Sequence, residues 1–349
     1  MSPSIEHDVS LDGDRRYARA TLPKVSRTFA INIRVLGGDL GEWVRTGYLL
    51  CRSADTLEDA WHVPADRSRF SRFLAALEGD HAAARALAAE ASSAPPRSDL
   101  ELVAHLPRVL RLLASFPEPA REALIDGVRT LASGMGRYAL RAMDRGPDAA
   151  YLDDEAELDD YCWVVAGCVG VMLTRLYAIA YRADDARQER RLGLAPVVGR
   201  ALQLTNILLD WPSDLRRGRC YLPASWLAEE GVRPADLVDR ERREVSALAS
   251  RLEAKALAAL AGVPDYLDLI PARHVRYRLF CLWPAIWAVR SLRHARRDRQ
   301  FPWGPRRPKL PRQVVYGTTL RSLLTAGRGP DLRGELKLAM GARTAAGRL

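Results

Sequence analysis

Residues 199–214 read GRALQLTNILLDWPSD. Gln203, Asn206 and Asp210 fall three and four apart, which on a helix draws one polar stripe along an otherwise apolar rod. Asp214 continues the stripe one turn further on. The same helical period governs the rest of the chain: Ala, Leu, Arg and Glu are abundant and alternating β-branched segments are few, so a nearly all-α protein is predicted. Buried polar side chains must find partners. A single Gln or Asn here reads as a satisfied core amide; the whole stripe, running into Arg216-Arg217-Gly218-Arg219, favours a polar cavity that holds metal and diphosphate.

A second acidic cluster, Asp55-Thr56-Leu57-Glu58-Asp59, also ends an apolar, helix-patterned stretch. Asp55, Glu58 and Asp59 are spaced i, i+3, i+4, so a helix stacks three carboxylates along one face, where like charges repel. A solvated helix face accounts for such a cluster, and so does a bound cation. Mg²⁺ suits it, as a hard ion that takes carboxylate oxygens and completes its shell with water and substrate phosphates. Arg52 projects from the same face, as a salt-bridge partner of the acids or as a ligand for the phosphate that the metal brings in.

Between the two clusters lies YCWVVAGCVG, Tyr161 to Gly170. Ala166, Gly167 and Gly170 weaken a helix unless something approaches its backbone closely, either another helix or an elongated apolar ligand. Tyr161 reads as a core aromatic with a hydrogen-bonded hydroxyl or as a proton-handling group in an apolar pocket.

Helices are predicted at 39–60, 64–90, 99–115, 117–145, 154–182, 189–211, 234–261 and 264–299, with Asp39 and Asp153 or Asp154 as N-caps. Three regions follow: a flexible acidic N-terminus over 1–19, a helical domain over 20–300, and a Pro-rich segment with a basic tail over 301–349. The segment RQFPWGPRRPKLP, 299–311, carries four prolines and cannot be helical throughout.

Hydrophobic residues make up 48% of the 349 positions, enough for a sizeable core. The five cysteines show no CxxC pair and several lie in apolar runs, so they read as buried thiols in a reducing compartment, without zinc or disulfides. Met1 to Asp14 is polar and acidic, unlike a signal peptide, and the longest apolar run, Tyr161 to Thr174, falls short of the roughly 20 residues that span a bilayer. The expected location is therefore cytoplasmic, peripheral on the inner face of the membrane at most. Net charge is +10, and from Pro271 onward the only acids are Asp298, Asp331 and Glu335. That basic region suits diphosphate or an anionic membrane; no nucleic-acid-binding signature accompanies it, so nucleic acid is not expected as a partner.

Five ordered motifs carry a resemblance. Ser26-Arg27-Thr28-Phe29, the run Arg52 to Asp59, YCxxVAGxVG from Tyr161, LQLTNILxD from Leu202 with Gly218-Arg219-Cys220-Tyr221-Leu222-Pro223 after it, and Phe280-Cys281-Leu282-Trp283-Pro284 resemble the squalene/phytoene synthase family over residues 20–295, closest in pattern to its bacterial squalene synthases. The resemblance implies an isoprenoid synthase fold, a single helical bundle around a central apolar cavity. It also implies a prenyltransferase that joins two farnesyl diphosphates head to head, through presqualene diphosphate, to squalene. Three Mg²⁺ ions and basic residues would stabilise the leaving diphosphate, and NADPH would reduce the last cation. Other outcomes within the family are dehydrosqualene, phytoene, or a hydroxysqualene or presqualene-stage product; a non-catalytic binding or assembly protein is the rival from another class.

The resemblance assigns metal binding to Asp55, Glu58, Asp59, Asn206, Asp210 and Asp214. Arg52 and Arg219 match diphosphate-facing arginines, and Ser26 and Arg27 a Ser-Arg pair near the substrate phosphate. Tyr161 matches a tyrosine that handles a proton or orients diphosphate, Gln203 and Asn206 a polar stripe, and Phe280 an aromatic facing the second-step cation. Departures lie in the second motif, where Leu209 stands for an arginine, Ser213 for a glutamate, and Pro212 enters where a helix would continue. A proline costs a regular helix interior roughly 3 kcal/mol, so the helix is expected to end near Trp211 or to kink.

Overall fold

Helix caps and glycine breaks set the architecture of the computed structural model, which describes residues 10–59, 67–146, 149–183, 186–324 and 331–346, with the side chains of 59, 67, 324 and 342–346 excepted. The chain divides into two compact units, one formed by residues up to 136 with 175–183, the other by 137–174 and 184 onward.

The first unit contains α1 (Leu11–Val25), α2 (Arg27–Arg34), α3 (Gly38–Asp59), α4 (Arg67–Leu77), α5 (His81–Ser92), α6 (Ser98–Ala104), α7 (Leu106–Ala114) and most of α8 (Glu118–Arg145). The helical body starts earlier than residue 20, because Ser10 caps α1 by accepting a hydrogen bond from the Gly13 amide. Asp14, in the stretch read as flexible, is fully buried and paired with Arg108 at 2.7 Å and Arg111 at 2.8 Å. The stretch read as one helix over 64–90 is two: Gly79 takes φ +107° and Asp80 recaps the chain with bonds from the amides of Ala82 and Ala83. The stretch 99–115 likewise breaks at His105.

The second unit holds β1 (Ala150–Leu152), α9 (Glu155–Cys162), a π-helical turn (Trp163–Gly167), α10 (Cys168–Tyr181, its last turns in the first unit) and α11 (Gln188–Leu215). It continues with β2 (Cys220–Pro223), α12 (Ala224–Glu229), α13 (Arg243–Ala261), α14 (Val263–Asp268), α15 (Val275–Ala295), α16 (Arg312–Leu324) and α17 (Leu332–Ala346). Asp154 is the cap of α9, accepting from the Glu157 amide at 2.9 Å. β1 and β2 pair in parallel, Ala150 opposite Cys220, the only strand pair among the described residues. The predicted helices 234–261 and 264–299 are each interrupted, the first after a 3₁₀ turn at Pro234–Leu237 and the second between Asp268 and Val275. Beyond residue 300, α17 packs on α13 and α15, so the tail is part of the unit's fold.

α11 is the centre of this unit, packed against the π turn, α13, α14 and α15. A Cβ on Gly199 would overlap the Ala166 carbonyl, and one on Gly170 the Ala195 carbonyl, so the small residues of YCxxVAGxVG serve a close helix crossing. α11 also runs through Pro212 to Leu215 and does not end at Trp211. Two continuous helical stretches, Glu155–Tyr181 and Gln188–Leu215, are long and apolar enough to cross a membrane by length and composition alone, the first extending beyond the apolar run that ends at Thr174. Their close crossing and the polar stripe on α11 are features of core helices.

Candidate active site

Each unit carries one acidic motif. In the first unit the C-terminal turns of α3 present Asp55 and Glu58, both half-buried, and Asp59 closes the helix with its side chain outside the described residues. The i, i+3 spacing lays the Arg52 guanidinium directly on the Asp55 carboxylate, and its other nitrogen reaches Asp99 at 3.2 Å. Burial works against the charge of Arg52, but Asp55 and Asp99 together raise its pKa above the usual arginine value. Ser26 caps α2 by accepting from the Phe29 amide at 3.3 Å and shares a hydrogen bond with Tyr48, whose hydroxyl is pushed up by burial. The Phe29 ring lies 5.2 Å from that of Tyr48. Ser26, Tyr48, Arg52 and Asp55 thus form one continuous cluster, and Arg27 next to it points to solvent. Tyr48 and Asp99 escaped the sequence reading; Tyr48 lies four residues before Arg52 and was legible as the next turn of the same face.

In the second unit the stripe on α11 is the open face of a buried helix. Leu204, Thr205, Ile207, Leu208 and Leu209 are buried, Gln203, Asp210 and Asp214 are half-buried, and Asn206 is exposed. Asn206 is therefore accessible and not a core amide. Burial raises the pKa of Asp210. Asp214 is pushed up to about 7, first by burial and then by the neighbouring Asp210 carboxylate, with Arg217 and Arg307 opposing. Ser213 donates its hydroxyl to the Asp210 carbonyl at 2.8 Å, and the buried Leu209 contributes to the core, so neither stand-in adds charge to the motif.

The cation nearest this pair comes from the proline-rich segment. Arg307 meets Asp210 at 2.7 Å. Arg216, in the turn that ends α11, holds that segment in place through the carbonyls of Gly304 at 2.9 Å and Trp303 at 3.1 Å. The sequence showed a dense run of basic residues there but no period that would link it to α11, which is why Arg307 was missed.

Gly218, at φ +73°, turns the chain from α11 into β2 and places the half-buried Arg219 between Asp214 and the strand. The Arg219 amide donates to the Asp214 carbonyl at 2.8 Å. β2 then brings Tyr221 onto the buried Tyr161, rings stacked 5.1 Å apart, with Tyr138 edge-on to Tyr161 at 5.2 Å and Tyr151 edge-on to Tyr221 at 5.4 Å. Tyr138 donates to Asp160 at 2.7 Å. Tyr161 immediately precedes the π turn's own N-cap, a kind of helix irregularity frequent at functional sites. Of this tyrosine group only Tyr161 was foreseen, because its partners come from α8 and the two strands. Phe280 is buried on α15 with its ring 6.0 Å from Tyr277, which belongs to a hydroxyl chain through Tyr266 at 2.9 Å to Thr174 at 2.7 Å.

Among the described residues no group of three His, Cys, Asp or Glu side chains could hold a metal ion alone. The donor chemistry nevertheless fits Mg²⁺, which characteristically takes one or two carboxylates and fills its remaining positions with water and substrate phosphates. Asp210 and Asp214, two hard oxygen donors that repel each other, are such a pair. Four cysteines, Cys162, Cys168, Cys220 and Cys281, are buried thiols pushed up to about 12 by burial.

A sequence profile described as squalene/phytoene synthase matches residues 22–313. The squalene synthase of Schizosaccharomyces pombe is 25% identical over 294 residues, covering 83% of this chain and 61% of its own length, so the chain spans about three fifths of that relative. The 15-cis-phytoene synthase of Enterobacter agglomerans is 43% identical over 115 residues, 31% of this chain and 37% of the relative. The structure of TcSQS with the ligand E5700 superposes with a TM-score of 0.76 at 23% identity, covering 95% of this chain and 92% of that one, and it shares the isoprenoid synthase fold. With the ordered motifs on the faces where the structure places them and the profile spanning most of its length, this chain belongs to the squalene/phytoene synthase family.

Proposed function

We propose that the chain is a Mg²⁺-dependent prenyltransferase that condenses two farnesyl diphosphates head to head, through presqualene diphosphate, to squalene. The observation that carries the reading is the Asp210–Asp214 pair on the open face of α11, one acid held at about 7 by burial and by the other, with basic residues gathered around it. Two carboxylates in that condition bind a divalent cation together with an anion that completes its shell. Asp210 and Asp214 in the second unit, and Asp55, Glu58 and Asp59 in the first, would hold Mg²⁺, which would supply the charge that neutralises departing diphosphate.

The rest falls to the chain's own side chains. The C1–O bond of the first substrate breaks and its electron pair leaves with diphosphate; in the first unit Arg52 is the cation to receive a diphosphate, with Ser26 and Arg27 to orient the phosphate, and in the second Arg219, with Gln203 and Asn206 offering amide hydrogen bonds. The π electrons of the second substrate's C2–C3 bond form the new bond to C1, and loss of a proton closes the cyclopropane. Tyr161, inside a group of tyrosines, orients or relays that proton. The C–O bond of the cyclopropyl diphosphate then breaks, its electron pair leaving with the second diphosphate, and the face of Phe280 stabilises the rearranging cation through its quadrupole. NADPH, when bound, would supply the hydride that ends the sequence at squalene.

Purified protein incubated with farnesyl diphosphate, Mg²⁺ and NADPH should yield squalene by mass analysis of the extract. Asp55→Ala and Asp210→Ala should each reduce turnover by a factor on the order of 10² or more while the helical circular dichroism is retained. Normal turnover in both variants would overturn the reading. The local 43% identity to a phytoene synthase supports a second reading, in which geranylgeranyl diphosphate gives a C40 product without NADPH, and the same assay run with that substrate separates the two.

A further inference from the structure

α16 is built inside out. Its hydroxyl residues face the protein: Thr318 and Ser322 are buried and donate to the carbonyls of Val314 at 2.6 Å and Thr318 at 2.8 Å, and Arg290 of α15 donates to the Thr318 hydroxyl at 2.5 Å. Its large apolar residues face away, with Tyr316, Leu320 and Leu323 exposed by 57%, 59% and 50%. These three are four and three residues apart, so they form a single stripe along the helix. Five of the nine exposed large hydrophobics among the described residues fall between 316 and 340, Leu338 and Met340 of α17 being the other two, whereas the remaining four are scattered singly. Scattered apolar residues on a surface need no explanation; a gathered set on one short stretch does.

Charge identifies what covers it. From Arg299 to Pro330 the sequence contains seven Arg and Lys and no Asp or Glu. The helix itself begins with Arg312 and carries Arg321 within its stripe region. An apolar stripe rimmed only by positive charge matches a surface with hydrocarbon below and negative headgroups above. With 13 residues, α16 is shorter than the roughly 20 needed to span a bilayer, and its polar back is tied to α15, so it can only lie along the interface.

We infer that α16 is a docking helix that seats this protein on an anionic lipid bilayer through Tyr316, Leu320 and Leu323, with the exposed Arg306, Lys309, Arg312 and Arg321 meeting the headgroups. This surface is independent of the proposed reaction and stands or falls separately from it. It adds an apolar contact to the electrostatic one that the basic region suits, so elevated salt should weaken binding without abolishing it.

The test uses the full chain with vesicles of phosphatidylcholine alone and of phosphatidylcholine with phosphatidylglycerol, at low salt and at about 1 M, where screening shortens the reach of charge to roughly 3 Å. Wild type should partition onto the anionic vesicles roughly tenfold better than onto the neutral ones, and the Leu320→Ser/Leu323→Ser variant should lose most of that binding with an unchanged melting temperature. Hydrogen exchange of wild type should slow over 312–324 when anionic vesicles are added, a measurement that holds whether or not the variant folds. Equal binding by variant and wild type, no binding by wild type, or no protection over 312–324 would overturn the inference. A wild-type dimer that the variant converts to monomer, without vesicle binding by either, would assign the stripe to a second copy instead.

Discussion

Asp214 is the residue on which opposing physical demands meet. Its partial burial and, after it, the neighbouring Asp210 favour the neutral acid, so its folded-state pKa stands at about 7 against an ordinary value of 3.8. A group raised in this way contributes stability that is fully present below its unfolded value and is lost as pH rises through about 7. The melting temperature in the presence of a chelator should therefore fall as pH rises from about 4 to about 7, the window between the ordinary value of 3.8 and the folded value of about 7, and level off above it. Mg²⁺ at the upper pH should restore it, because a cation replaces the lost proton. Asp214→Asn should flatten the pH dependence and remove the Mg²⁺ response; a chelated wild type whose melting point is flat across that range would contradict the argument. The position of this acid was legible because helical spacing brings Gln203, Asn206, Asp210 and Asp214 to one face whatever surrounds them. Its counter-charge was not, since Arg307 lies 97 positions along the chain from Asp210 and arrives through a segment with no regular period. Buried Asp14 teaches the same lesson, since an acidic stretch resembles a solvated tail until Arg108 and Arg111 are known to close on it.

At the scale of elements, long helices were the most readable part, with α3 and α8 falling within a residue of their expected bounds. Breaks were less readable. At His105 the signal was present but unread: Pro107, in the first turn of α7, has no amide to continue the ladder from α6 and restarts the helix there. The reverse happened at Pro212, where α11 continues despite a missing donor, with the Pro212 carbonyl accepting from Arg216 at 2.8 Å. The crossing of α11 with the π turn and α10 is where sequence and structure agree most closely. Gly199 and Gly170 admit backbone where a methyl group would meet a carbonyl oxygen. Gly199→Ala should thus destabilise the protein by about 1–3 kcal/mol through overpacking, seen as a lower denaturant midpoint, even though alanine is the better helix former. Alanine at Gly193 of the same helix, where an added Cβ would meet nothing within 4 Å, should have no such cost and serves as the control. Equal midpoints for the two variants would show that the crossing tolerates separation.

For the whole molecule, the two acidic motifs belong to different compact units, each with its own arginine already in contact: Arg52 on Asp55, Arg307 on Asp210. The second arginine is held by the fold of the segment after α15 and not by helical spacing, so it is the more readily displaced. Arg216 is the anchor, bonded to the carbonyls of Trp303 and Gly304 and to the Asp239 carboxylate at 2.5 Å. The Asp239 amide adds a bond of 2.8 Å to the Trp303 carbonyl, so two elements grip the same peptide. Arg216→Ala removes the side-chain half of that grip and should free the segment that carries Arg307 without unfolding the helices around it. Limited trypsin digestion reads this directly, because Arg306 and Lys309 are cleavable positions within the segment whereas Arg307 precedes a proline. Cleavage after Arg306 should be several times faster in the variant than in wild type at the same melting temperature. Mg²⁺, by taking the place of the Arg307 guanidinium on Asp210, should accelerate the same cleavage in wild type and change it little in the variant. Resistance that is equal in the two proteins would mean that the Arg216 bonds do not hold the segment, and the position of Arg307 would then have to rest on its own ion pair with Asp210.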